Sequence, residues 1–156
     1  MQRIRPFMNT DLIKVFTGIR RAGKSVMLEL VKNELKESGI SEENFLCINF
    51  EQFSNSQFLD VESLYKKITD FQKNTKGRIY LFFDEIQEVD GWEKCINSCR
   101  IDFDCDIYIT GSNAKLLSGE LTTYLAGRYV EFVIYPFSFA EFFEMNLIKN
   151  PNVDKA

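Results

Sequence analysis

Eight consecutive residues, Gly18-Ile19-Arg20-Arg21-Ala22-Gly23-Lys24-Ser25, fill the pattern G-x-x-x-x-G-K-[ST] at every specified position. This spacing serves phosphate binding. Glycines let the backbone turn tightly so that successive N–H groups converge on phosphate oxygens, Lys24 adds a mobile positive charge, and the Ser25 hydroxyl is placed to ligate Mg²⁺. Val26 follows in the same segment. A second group ends the most hydrophobic run of the chain, Ile79-Tyr80-Leu81-Phe82-Phe83, which stops abruptly at Asp84-Glu85. A strand that ends in a carboxylate delivers it to the carboxyl edge of an open α/β sheet, where ligands bind. Such an Asp holds Mg²⁺, and a neighbouring Glu orients and deprotonates a water that attacks phosphorus. A third group, Gly111-Ser112-Asn113, ends the β-branched run Ile107-Tyr108-Ile109-Thr110. Ser112 or Asn113 suits a hydrogen bond to a γ-phosphate or to the lytic water, and equally suits a helix N-cap.

These residues need strands before them and helices after them. Ile13–Thr17 reads as a buried strand that ends at Gly18, and a helix begins at Ser25 with Met27, Val31 and Leu35 on one face and Gly39 as its stop. Phe45–Phe50 reads as a second strand, apolar enough to be covered on both faces. After the polar stretch Ser54–Gln57, Asp60 caps a helix whose apolar positions are Val61, Leu64, Tyr65, Ile68 and Phe71. Ile86–Gly91 reads as a loop, and a third helix starts near Trp92 with Cys95, Ile96 and Cys99 on its apolar stripe. Leu121–Arg128 is weakly helical. A fifth strand, Tyr129–Tyr135, stops at Pro136. Ser138-Phe139-Ala140-Glu141 is a capping box that opens a last helix. Strands alternating with helices predict a parallel, three-layer α/β domain over residues 1–148, followed by a polar tail, 149–156, that reads as the start of a linker.

Composition agrees with one globular domain: 156 residues, 45% hydrophobic and 27% charged. No apolar run is long enough to cross a bilayer and residues 1–10 contain no signal-like segment, so no membrane partner is expected and a cytoplasmic location is the default. The net charge is −4, yet residues 1–36 hold eight Lys/Arg against three Asp/Glu. That excess lies with the phosphate loop and gives a nucleic-acid surface only weak support, because no basic run is interleaved with aromatics. The four cysteines, without histidine or a C-x-x-C pair, read as reduced thiols rather than a zinc site.

Taken in order, the phosphate loop, F-F-D-E-I-Q, I-T-G-S-N and L-A-G-R-Y-V-E-F resemble the prokaryotic AAA-like P-loop ATPases, of the additional-strand, catalytic-glutamate division. The resemblance covers residues 3–145 and is closest to the family whose ATPase domain usually precedes a separate C-terminal domain. It implies the three-layer P-loop NTPase fold with sheet order 5-1-4-3-2. It also implies roles for particular residues: Lys24 on the β- and γ-phosphates, Ser25 and Asp84 on Mg²⁺, Glu85 as base, and Ser112 or Asn113 as the γ-phosphate sensor. In similar ATPases a basic residue from a partner subunit or C-terminal lid completes the site, and Arg128 is the candidate for that role. By the same resemblance Glu51 or Asn49 restrains Glu85 from the neighbouring strand.

The expected activity is Mg²⁺-dependent ATP hydrolysis. ATP is favoured over GTP because no N-K-x-D segment is present to read guanine. Adenine contacts are expected near residues 4–12. Two alternatives stand beside it: an ATP-binding conformational switch with negligible turnover, and the motor half of a DNA-processing protein. A homo-oligomer or a C-terminal domain is the partner that would complete the site.

Overall fold

Parallel strands covered on both faces send alternate side chains into two separate cores. The computed structural model, which describes residues 1–112, 116 and 123–136, shows this arrangement. Strands β1 (Ile13–Thr17), β3 (Ile79–Asp84) and β4 (Cys105–Gly111) are buried at every position. With β2 (Phe45–Asn49) and β5 (Tyr129–Val133) they form one sheet in the order β2-β3-β4-β1-β5, every pair parallel. Read from the other edge this is 5-1-4-3-2, the order expected. Because β4 lies between β1 and β3, the register pairs Thr17 with Gly111 and Asn49 with Asp84, so the residues that end these strands share one edge.

One core packs helix α1 (Lys24–Glu37) through Leu28, Val31 and Leu35 against Phe16, Phe82 and Tyr108. The other packs α2 (Val61–Asn74) and α3 (Trp92–Asp102) through Leu64, Ile68, Ile96 and Cys99 against Val15, Leu81 and Ile109. Thus three layers form, as expected. The ends of α1 and α2 follow local chemistry. Gly39 N–H reaches Lys36 O at 2.9 Å and Ile40 N–H reaches Leu35 O at 3.2 Å, a Schellman stop, while Asp60 Oδ2 accepts from Ser63 N at 2.9 Å.

Strand ends differ from expectation where the partner strand decides. β2 stops at Asn49 and β5 at Val133 because their neighbours β3 and β1 end opposite them, leaving single bonds from Phe50 N to Asp84 O and from Ile134 N to Thr17 O. β4 begins earlier than Ile107 because Cys105 and Asp106 pair with Ile79 and Tyr80. Residues Phe53–Leu59 and Ile86–Glu88 form 3-10 turns rather than plain loops. The expected last helix and the tail lie outside the described residues, as does the segment from 117 to 122. Among the described residues no helix is long and apolar enough to cross a membrane.

The amino edge of the sheet holds a buried ion pair that a hydropathy pattern would not place there. Lys14 and Asp106 are both 0% exposed. The Lys14 ammonium donates to Asp106 Oδ1, to Thr10 O at 3.0 Å and to Leu12 O at 2.7 Å. Asp106 Oδ2 accepts the Tyr108 hydroxyl and the Asn9 N–H, each at 2.7 Å. Every donor and acceptor of the pair is thereby used, which is the condition for burying charge at tolerable cost. Burial pulls the Lys14 ammonium below the usual lysine range, with the Asp106 carboxylate opposing, and pushes the Tyr108 phenol up.

Candidate functional site

The phosphate loop starts where β1 ends. Gly18 sits at φ +154°, and a Cβ there would lie 2.4 Å from the Ile134 carbonyl oxygen, so only glycine passes beneath the end of β5. Arg21 (φ +65°) and Gly23 (φ +96°) then turn the chain through left-handed conformations into α1. The N-cap residue, Gly23, has no side chain to cap this helix, so the N–H groups of its first turn, at Lys24, Ser25 and Val26, have no intrahelical acceptor. Ala22 and Lys24 are buried, whereas Ile19, Arg20, Arg21, Ser25 and Val26 are exposed along the loop and helix start. Lys24 Nζ lies 3.4 Å from both Gly18 O and Ile19 O, and 3.2 Å from Glu85 Oε1. The loop cation and the acid at the end of β3 therefore meet.

Thr110 joins the two acids. Its hydroxyl donates to Asp84 Oδ1 at 2.5 Å and accepts from the Glu85 N–H at 2.9 Å. Asn49 Nδ2 donates to the other oxygen, Asp84 Oδ2, at 3.2 Å. Glu85 itself takes a left-handed turn at φ +58°, uncommon for glutamate, and this swings its side chain out of the strand direction toward Lys24. Gln87 Nε2 donates to Glu85 Oε2 at 2.6 Å.

An open crevice of about 690 Å³ is lined by Arg20, Lys24, Ser25, Glu85, Gln87 and Ser112. A smaller one of about 290 Å³ is lined by Ser25, Asn49 and Asp84 on the α1 side. The hydroxyl of Ser25 and the carboxylate of Asp84 are hard oxygen donors of the kind Mg²⁺ takes, and one carboxylate leaves room for phosphate and water ligands. Among the described residues no group of three or more His, Cys, Asp and Glu gathers to hold an ion without such help. The residues present fit Mg²⁺ held jointly with a polyphosphate.

Most of the residues singled out above come together here, and two do not. Asn113 lies outside the described residues. Arg128 lies at the opposite edge of the sheet: its carbonyl oxygen accepts from Ile13 N at the start of β1, and its guanidinium donates to Asn97 and to Tyr124 O, each at 3.1 Å. It is not part of the crevice around Lys24. The restraint on Glu85 also comes from elsewhere than expected. Asn49 reaches Asp84 instead, and Glu51 stands at the surface 3.8 Å from Arg20. Gln87, within the F-F-D-E-I-Q segment, makes that contact. Thr110 and Gln87 are the residues the sequence reading missed; a hydroxyl at the penultimate, buried position of β4 was the available signal.

The model of a family described as an AAA domain matches residues 10–143. An uncharacterized protein of Haemophilus influenzae is 48% identical over 142 residues, 91% of this chain and 36% of that protein. One of Methanocaldococcus jannaschii is 40% identical over 146 residues, 92% of this chain and 30% of that protein. The chain therefore spans about a third of the length of these relatives. In fold it is similar to AMPPCP-bound DnaA from Aquifex aeolicus, with TM-score 0.66 and 16% identity over 99% of this chain and 50% of that one. It is also similar to PCH-2 of C. elegans, with TM-score 0.60 and 17% identity over 92% and 42%. At such identities the likeness is one of fold.

Proposed function

This chain belongs to the AAA domain family, and on that footing we propose that it binds ATP with Mg²⁺ and hydrolyses it by in-line attack of water on the γ-phosphate. The carrying observation is that Lys24 Nζ lies 3.2 Å from Glu85 Oε1 in a crevice entered by the open N–H groups of α1. The loop amides and the helix N-terminus receive the phosphates, and Lys24, with Glu85 and two carbonyls already around it, contributes its charge to them. Ser25 and Asp84 would hold Mg²⁺, which when bound neutralises phosphate charge and fixes the oxygens. Glu85 accepts the proton of the attacking water. Ser112, in the same crevice, donates to the transferred phosphoryl group, and Asn113 is the alternative donor.

The base of the nucleotide fits a cavity of about 770 Å³ beside Gly18, lined by Ile4, Phe7, Met27, Phe132 and Ile134. Of its lining, Ile4 and Phe7 belong to the segment 4–12 from which adenine contacts are expected. Arg128, at the far edge of its own sheet, acts only if it reaches the site of a second copy. Otherwise a further domain supplies the completing cation. What turnover drives is a property of proteins as long as the matched relatives.

A switch with negligible turnover is the second reading, favoured by one observation: both oxygens of the Glu85 carboxylate are engaged, by Lys24 and by Gln87. Single-turnover hydrolysis with enzyme in excess separates the two. Glu85→Gln is expected to keep ATP binding while the rate falls by about 10²–10⁴. If wild type and Glu85→Gln bind ATP and are equally inert, the switch replaces the enzyme. Unchanged ATP affinity in Lys24→Ala would refute both.

A further inference from the structure

The contact between Gln87 and Glu85 has no role in the expected division of labour, and its surroundings suggest one. A carboxylate only accepts hydrogen bonds, so the amide face turned toward Glu85 Oε2 at 2.6 Å is the NH₂. The carboxamide oxygen is then turned inward. Gln87 Oε1 is buried, finds no donor among the described residues, and stands 2.2 Å from where a Cβ on Gly111 would be. A side chain at Gly111 would have to displace it or Leu116, whose Cδ1 stands 2.3 Å from the same point. The turn that carries Gln87 is fixed from below, since Ile86 and Val89 are both 0% exposed and the bonds Glu88 N to Glu85 O and Val89 N to Ile86 O close it. A glutamine anchored this way holds its NH₂ at a set place, whereas Glu85 is a long side chain on a left-handed residue with Lys24 on its other oxygen.

We propose that Gln87 is the positioning residue for Glu85: it pins one carboxylate oxygen so that the other faces the phosphate loop, and the glycine at 111 leaves the space that Gln87 and Leu116 fill. This rests on the assignment of Glu85 as the base. Pre-setting a carboxylate matters because an ångström of misplacement can cost about a hundredfold in rate. It also removes rotamer freedom that would otherwise be lost at the moment of reaction.

The experiment is a double-mutant cycle in single-turnover hydrolysis, with ATP affinity measured separately by equilibrium titration. Gln87→Leu is expected to lower the rate about tenfold to a hundredfold, with ATP affinity within about twofold of wild type. In a Glu85→Gln background the same change is expected to have less than about a twofold further effect, because a residue acting only through Glu85 has nothing left to act on. Gln87→Glu keeps the shape but replaces the donor by a second carboxylate, so it should lower the rate at least as far, and it is the variant to read if Gln87→Leu does not fold. An unchanged rate in the glutamine variants, or an equal loss with and without Glu85, would overturn the inference. Full activity in Glu85→Gln would instead remove the base assignment on which it stands.

Discussion

Replacing Thr110 with valine tests whether one hydroxyl holds the acidic end of β3 together. The substitution conserves shape and removes a single oxygen that serves two partners, Asp84 Oδ1 at 2.5 Å and the Glu85 N–H at 2.9 Å. Asp84 is 7% exposed and Thr110 is 0% exposed, so water does not readily replace what is lost. A hydrogen bond to a charged group is worth about 1.5–3 kcal/mol and a stranded buried N–H costs about 1–3 kcal/mol. Together they predict a destabilisation of roughly 2.5–6 kcal/mol, which for a domain of this size is a fall in Tm of roughly 5–25 °C. Thr110→Ser keeps the oxygen and loses a buried methyl, for about 1 kcal/mol. Urea unfolding of the three proteins at neutral pH measures both differences. Hydrolysis should fall with the valine by about tenfold or more, and the Mg²⁺ concentration for half-maximal rate should rise, since Asp84 loses an anchor. A valine variant within about 0.5 kcal/mol of the serine variant would show that the hydroxyl is not the link, and the reasoning would fail.

The ion pair at the amino edge and the loop glycine give further tests. Lys14→Met or Asp106→Leu alone leaves a buried charge without its partner and should cost about 3–5 kcal/mol, while the double variant should cost clearly less than the sum of the two, as read by denaturant midpoints. Because folding lowers the Lys14 pKa from the ordinary 10.5, the unfolded chain holds the extra proton, so Lys14 contributes a slope of stability that rises with pH toward 10.5; the raised Tyr108 phenol and Cys105 thiol contribute the opposite slope, and the Lys14 part is read as the difference between wild type and Lys14→Met across that range. Lys14→Met should lose that slope. Gly18→Ala puts a Cβ 2.4 Å from Ile134 O at φ +154° and should cost about 1–3 kcal/mol and abolish ATP binding, measured by thermal melting and nucleotide titration.

Much of the architecture was legible because its determinants are local. The apolar run ending in Asp84-Glu85, the helix stop at Gly39, the cap at Asp60 and the stripe of Trp92, Cys95, Ile96 and Cys99 each depend on residues within a few positions of one another. Strand type and helix face follow from periodicity, and an alternation of the two leaves few topologies open. The phosphate loop was legible for the same reason: backbone amides bind through turn geometry that nearby glycines set. What only the tertiary structure decided depends on residues far apart in the chain. Thr110 reaches Asp84, and Asn49 reaches it from the other side, because β4 and β2 flank β3 in register. Lys14 lies within a run that reads as a buried strand, and nothing near it in the chain shows the partner for its charge until Asp106 is brought beside it by the β1–β4 pairing. Arg128 sits one residue before β5, and the parallel pairing of β5 with β1 puts it at the edge where strands begin. Periodicity says which face of an element is buried. Which polar group meets which across the sheet is set by strand order and register, and these are properties of the assembled fold.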